Sequence, residues 1–152
     1  MSALKDRLRT DLTTAMKARE ELRASTLRMA LTAITNAEVA GKAAKELTDD
    51  EVVGVLSSEA KRRREAATAY DEGDRPERAE RERAEAEVLA DYLPTPLTDA
   101  EITALVEKAI ADTGAAEQGM KAMGRVMGVV TPQTKGRADG GAVAAEVKRQ
   151  LA

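Results

Sequence analysis

Apolar residues recur at helical spacing throughout this chain, and no segment shows the alternation typical of a strand. In the first segment, Leu4, Leu8 and Leu12 lie four positions apart, which places them on one face of a helix. Between Leu27 and Ile34 the chain is apolar on more than one face, so we expect that helix to be central. The sequence therefore predicts an all-α protein.

The core of such a protein has to be built from aliphatic side chains. Hydrophobic residues make up 43% of the 152 residues, but Phe and Trp are absent and there are only two Tyr. His and Cys are also absent, which removes the commonest general base, the usual zinc ligands and the thiol nucleophile. We therefore expect no metal, no cofactor and no intrinsic catalysis.

Two similar motifs are typical of helix starts. LTDDEV (47–52) places Thr48 at an N-cap and Glu51 at N3, and LTDAEI (97–102) does the same with Thr98 and Glu101. Each motif predicts a capping box, in which the two side chains satisfy each other's backbone N–H groups.

A further helix start is predicted after Gly73. Here Asp74 is expected to be the cap, with Pro76 in the first turn and Glu77 at N3. The segments 49–72 and 75–93 should then form a long antiparallel helical hairpin with a solvated tip.

The linker YLPTPLT (92–98) divides the chain, because its two prolines stop a helix and stiffen the backbone. We predict an N-terminal helical domain over residues 1–93, which contains the hairpin, and a C-terminal three-helix domain over residues 94–152. The middle helix of the second domain is expected to end at Pro132.

Charge is distributed unevenly along the chain. The net charge of −3 combines +3 over residues 1–30, −10 over 31–118 and +4 over 119–152. The N-terminal residues lack the apolar region of a signal peptide, and no segment has the roughly 18 apolar residues of a membrane span. We expect a cytoplasmic protein with no membrane contact.

The basic C-terminal region is the candidate binding surface. Cations from three elements are expected to converge beside the N-terminus of the last helix, which is itself weakly positive. They are Lys121, Arg125, Lys135, Arg137, Lys148 and Arg149. Because this region has no aromatic residue, RNA would be held there by phosphate and shape contacts rather than by stacking. Ordinary solvated surface cations are the alternative interpretation.

Two other motifs have structural explanations. KRRRE (61–65) is dense in charge, but consecutive helical residues face different directions, and the Glu59–Arg63 and Lys61–Glu65 spacings favour a solvated, self-paired helix. GRADGG (136–141) lacks the pattern of a phosphate-binding loop. It is better explained as a turn that ends in a cap at Asp139, with Arg137 free to point outward.

Several segments together resemble the GatB/YqeY family, nearly end to end. They are TLRMALTAITNAEV (26–39), the helix around KRRRE, YLP (92–94) and MGRVM…TPQTKGRADGGAVAAEVKRQL (123–151). The resemblance implies a two-part helical protein whose C-terminal domain is similar to the tail of the B subunit of tRNA-dependent amidotransferases. That tail helps to hold the tRNA, and the family is often associated with carbon–nitrogen ligation using glutamine as amide donor.

Two hypotheses follow from the residues and the resemblance. The first is a non-catalytic, translation-associated accessory protein that binds tRNA or a tRNA-bound complex through its C-terminal domain. The second is a protein-interaction adaptor that docks a partner through the charged hairpin 49–93. An amidotransferase activity of the chain itself is the weakest interpretation, because the catalytic domain and the amidase subunit of those enzymes have no counterpart in it.

Overall fold

A computed structural model describes residues 2–152, which form seven α-helices and no strand. The all-α prediction is thus confirmed. The chain divides into two compact units, Met1–Leu93 and Pro94–Ala152. The helices are α1 (Ala3–Lys17), α2 (Glu21–Val39), α3 (Asp49–Glu72), α4 (Pro76–Ala90), α5 (Asp99–Thr113), α6 (Met123–Thr134) and α7 (Gly140–Leu151). None of the helices within residues 2–152 is both long enough and apolar enough to cross a membrane.

The core of the first unit is aliphatic, and its largest fully buried side chains come from all four of its helices. They are Leu8, Leu27, Ile34, Val52, Leu56 and Leu89. The helices α3 and α4 form the predicted antiparallel hairpin, and several of their buried side chains are small. The buried alanines of these two helices are Ala60, Ala67, Ala79 and Ala86. Helices can approach closely where the side chains between them are small.

The predicted capping box is complete at α3, but at α5 only the half made by the Thr98 hydroxyl is present. Thr48 and Glu51 form the complete capping box at α3, and the Thr98 hydroxyl accepts from the Glu101 N–H at α5. Ser2 caps α1 and also donates to Asp49. These bonds tie the start of α1 to the start of α3, since Asp49 accepts from the Leu4 N–H as well.

The predicted cap at Asp74 is wrong. Asp74 lies in the turn with a φ of +56°, and Arg75 takes the N-cap position, with Pro76 as the first helical residue. A proline disfavours helical geometry in the residue before it, so the residue at the cap position has to be the one preceding Pro76. Glu77 accordingly falls at N2 rather than N3.

Arg63 is buried, which corrects the interpretation of KRRRE as a wholly solvated run. Its side chain is 5% exposed, and it pairs with Glu59 at 2.8 Å and with Glu85 of α4 at 3.2 Å. Glu85 is also buried and accepts from Arg81 at 3.3 Å. The predicted Glu59–Arg63 and Lys61–Glu65 pairs are both present. A buried ion pair thus joins the two helices of the hairpin.

Tyr92 anchors the end of the first unit. Its hydroxyl donates to Asp11 of α1 at 2.6 Å and accepts from Arg23 of α2 at 3.1 Å. The Arg7 guanidinium lies 4.6 Å from the ring centroid, which is a cation–π distance. Tyr92 therefore connects the segment after α4 with α1 and α2.

The second unit is a three-helix arrangement around a β-branched core. Its buried residues come from all three helices and include Ile102, Val106, Val126, Val130, Val143 and Val147. Gly114 ends α5 in the left-handed conformation, with a φ of +66°. The predicted end of α6 at Pro132 is wrong, because the helix continues to Thr134. The carbonyl that Pro132 leaves without a partner belongs to Gly128, which is exposed, so water can satisfy it.

The buried ion pair predicts a large effect at Arg63 and a small one at its neighbour. Arg63→Ala leaves Glu85 buried with only Arg81 as a partner, and we expect a loss of about 3 kcal/mol in the free energy of unfolding. Arg62→Ala, the matched control, should cost less than about 0.5 kcal/mol, because that side chain is 75% exposed. Urea unfolding followed by circular dichroism measures both. Equal effects of the two variants would contradict a special role for Arg63.

The Tyr92 anchor predicts a loss of stability at alkaline pH. Burial, together with the bond to Asp11, raises the pKa of Tyr92 from 10.0 to about 12. The stabilisation by this group is complete below pH 10 and is lost as the pH rises towards 12. Tyr92→Phe should lower the free energy of unfolding by about 1 kcal/mol at pH 7. It should also reduce the fall in the free energy of unfolding between pH 10 and 12. Tyr70→Phe is the control. Urea titrations at each pH measure the free energy of unfolding of both variants. The same pH dependence in the two variants would contradict the assignment to Tyr92.

Candidate nucleic-acid interface

The six cations singled out in the sequence are distributed over both ends of α6. The short connection 135–139 makes α6 and α7 antiparallel neighbours. At the far end, a Cβ on Gly119 would lie 3.6 Å from the Leu151 carbonyl, so the segment before α6 adjoins the end of α7. The cations thus form two groups. The end cluster consists of Lys121, Arg125, Lys148 and Arg149, and the loop cluster consists of Lys135 and Arg137.

This arrangement differs from the expected convergence beside the N-terminus of the last helix. Only the loop cluster lies there. The end cluster is separated from it by the length of α6, which is about 18 Å for twelve residues at 1.5 Å per residue. The sequence could not show this, because the direction of each helix relative to its neighbours depends on how the three helices pack.

Arg137 is exposed, but it is not free as predicted. Its Nε donates to the Thr95 carbonyl at 3.1 Å, and its own carbonyl accepts from the Leu97 N–H at 2.8 Å. The neighbouring Gly136 has a φ of +76°, and Asp139 caps α7 by accepting from the Ala142 N–H, both as predicted. The loop GRADGG therefore holds the segment before α5, and the terminal nitrogens of Arg137 remain for an outside ligand.

The positive charge of Arg149 is largely compensated. Its guanidinium makes two bonds to Glu146, at 2.6 and 2.9 Å. Glu146 also accepts from Gln150 and from Thr103 of α5. The bonds from Arg149 and Gln150 lower the pKa of Glu146 to about 2, so this carboxylate stays ionised. Arg149 is therefore engaged mainly in the contact between α5 and α7, and little of its positive charge is available to a ligand.

The three lysines are the most available cations of the set. Lys121, Lys135 and Lys148 are exposed, and none of them makes an ion pair with any residue in the range 2–152. Arg125 donates to the side-chain carbonyl of Gln118 at 2.5 Å, which orients the guanidinium without neutralising it. The unit as a whole has seven basic and seven acidic residues, so its positive potential is confined to these clusters.

Sequence reasoning missed a groove beside the loop cluster. It has a volume of about 450 Å³ and lies between the first half of α5 and the end of α6. Its lining consists of Leu97, Glu101, Ala104, Leu105, Lys108, Gln133 and Arg137. Lys108 was not among the candidate residues. Its position three residues after Leu105 on one helix face was the signal that could have found it.

A comparison with protein families settles which family this is. The model of the family described as Yqey-like protein matches residues 5–151. The chain belongs to this family. The YqeY-like family is related to the C-terminal tail domain of GatB, as the resemblance in the sequence indicated. No curated protein matches the chain.

The Glu146 network predicts acid sensitivity of the second unit. Because the pKa of Glu146 is lowered from 4.5 to about 2, its stabilisation is complete above pH 4.5 and is lost as the pH falls towards 2. Glu146→Gln should therefore lower the melting temperature at pH 7, and the difference from the wild type should shrink by pH 3. Glu117→Gln, at an exposed site of the same unit, is the control. A difference that stays constant with pH would contradict the assignment.

Proposed function

We propose that this YqeY-like protein binds folded RNA, tRNA or a tRNA-bound complex, through residues 94–152. The proposal rests on the relation of the family to the tail domain of GatB and on the cations of the second unit. The observation that carries it is the separation of two exposed cationic clusters by the length of α6. Clusters about 18 Å apart cannot hold one phosphate, but they can contact two distant points of a folded backbone.

The proposed contacts are to phosphates rather than to bases. Both tyrosines lie in residues 1–93, so the second unit has no aromatic ring on which a base could stack. Binding by phosphate contacts releases counterions and weakens steeply with salt. Lys121, Arg125 and Lys148 would supply the contacts at one end, and Lys135 and Arg137 those at the other, with Arg149 contributing least.

The proposed role is binding rather than catalysis. The chain has no His, no Cys and no nucleotide-binding loop, and the Glu146 carboxylate of the second unit is held in a structural pair with Arg149. Within this proposal the protein acts in the cytoplasm, beside the translation apparatus, where tRNA is found.

Charge reversal at the lysines tests the proposal. We expect Lys121→Glu, Lys135→Glu and Lys148→Glu together to weaken binding to bulk tRNA at least about tenfold and to reduce the salt slope by about three counterions. The lysines are preferable to Arg137, whose replacement would also remove the Thr95 bond. Fluorescence anisotropy at two salt concentrations measures the affinity.

Two controls make the result specific. The first is a triple reversal outside the second unit, at Lys17, Lys42 and Lys45, which changes the net charge equally. The second is a DNA duplex of matched length. Glu146→Gln should have the opposite effect on tRNA affinity. It leaves the positive charge of Arg149 uncompensated, so binding should become stronger. No binding of the wild type at micromolar concentration and low salt would overturn the proposal.

The adaptor hypothesis is favoured by one observation in the first unit. Residues 71–78, at the tip of the hairpin, are all exposed. The interior of KRRRE is not available to a partner, because Arg63 is buried, so a test has to use exposed charges such as Arg62, Arg64 and Glu80. An adaptor would keep its partner after the lysine reversals and lose it after these changes.

A further inference from the structure

The groove on the second unit combines an apolar floor with a polar rim. Its apolar lining residues, here called the floor, are Leu97, Ala104 and Leu105, and its polar lining residues, here called the rim, are Glu101, Lys108, Gln133 and Arg137. The volume of about 450 Å³ lies within the range of ligand sites in proteins, but the groove is open to solvent. An open groove suits a segment of another chain better than an enclosed small molecule.

Leu105 is an apolar side chain of α5 that lies outside the core of the unit. The helical stripe of α5 includes Ile102, Val106, Ala109 and Ile110, all of which are buried in the core of the unit. Leu105 is half-buried, and it belongs neither to that core nor to the partly buried residues packed against it. Its side chain lines the groove instead. An apolar ligand group placed there would gain contact with a surface that water now covers.

The rim is predominantly positive. Lys108 makes no ion pair with any residue between 2 and 152, and Arg137 uses only its Nε, in the bond to the Thr95 carbonyl. Gln133 donates to the Val129 carbonyl, which leaves its side-chain oxygen as an acceptor. Glu101 is the one acidic residue of the lining. Two available cations beside leucine side chains are complementary to carboxylates that flank an apolar side chain.

We propose that this groove binds a short acidic segment of a partner protein. One leucine-like side chain of the segment contacts Leu105, Ala104 and Leu97, and carboxylates on either side of it bind Lys108 and the terminal nitrogens of Arg137. Protein segments are commonly recognised in this way, with an apolar anchor for affinity and paired charges for orientation.

The groove is distinct from the proposed RNA surface in chemistry. The apolar side chain of Leu105 can make no ionic contact or hydrogen bond with a phosphate. Lys108 belongs to neither the end cluster nor the loop cluster. Arg137 is shared, so a bound acidic segment and a bound RNA would compete at this one residue. The two proposals can therefore be tested apart with variants that avoid Arg137.

The test uses two probes and two pairs of variants of the full-length protein. One probe is a labelled twelve-residue peptide with a central leucine flanked by two glutamates on each side, and the other is bulk tRNA. Leu105→Gln removes the apolar contact, with Met120→Gln as its control, because Met120 is an exposed apolar residue outside the groove. Lys108→Glu reverses a rim charge, with Lys148→Glu as its control. Circular dichroism confirms that each variant is folded.

We expect the peptide to bind and to shift the amide NMR signals of residues 97, 104, 105, 108 and 133. Leu105→Gln and Lys108→Glu should each weaken the peptide about tenfold, whereas Met120→Gln and Lys148→Glu should change its affinity less than about twofold. Binding of tRNA should be unchanged in Leu105→Gln and reduced in Lys148→Glu. A loss of tRNA binding alone would thus concern the RNA proposal and not this one.

Three results would overturn the proposal. The first is no signal shift in the groove at millimolar peptide. The second is equal binding of a peptide with lysines in place of the glutamates, which would show that charge plays no part. The third is peptide affinity that is unchanged in Leu105→Gln, which would place the contact elsewhere, including on a second copy of the chain.

Discussion

The first unit depends on the packing of α3 against α4, two helices whose buried residues include four alanines. Alanine buries little apolar area, so this contact gains stability from the close approach of the helices and from their high helix propensity rather than from large side chains. The same closeness excludes water from the polar groups that lie within it. Arg63 can be buried there only because Glu59 and Glu85 bind it from both helices. Removing one partner of this buried pair would leave an uncompensated charge inside the hairpin, which is costly.

In the second unit the direction of the helices determines what the surface can bind. The chain reverses between α6 and α7. The cations of the basic C-terminal region therefore lie at two ends of the unit. Part of their charge is used internally, as in the pair between Glu146 and Arg149. What remains is a neutral unit with local positive clusters and a groove of mixed character. Such a surface is suited to recognition of a shaped partner and poorly suited to unspecific attraction of polyanions.

Features that depend on a few neighbouring residues were predicted well. The capping box at Thr48, the cap at Asp139 and the positive φ of Gly136 all follow from local bonds or local backbone sterics. Two of the local errors concern prolines, with opposite reasons. At Asp74 the restriction that Pro76 places on the residue before it outweighs the cap preference of aspartate, whereas at Pro132 the exposed side of α6 accommodates a proline and the helix continues.

The sequence by itself determined the helical class, the aliphatic core and the family, because helical spacing, caps and the YqeY-like motifs are properties of consecutive residues. Only the tertiary structure decided which charges are buried, which are paired and which are available. Arg63 meets Glu85 across 22 positions of sequence, and Arg137 meets the Thr95 carbonyl across 42. Leu105 likewise belongs to the apolar stripe of α5 by its spacing, yet it faces the groove. The reason is physical: the environment of a side chain depends on which helix packs beside it. Helical periodicity shows which residues share a face, but it does not show which helix that face contacts.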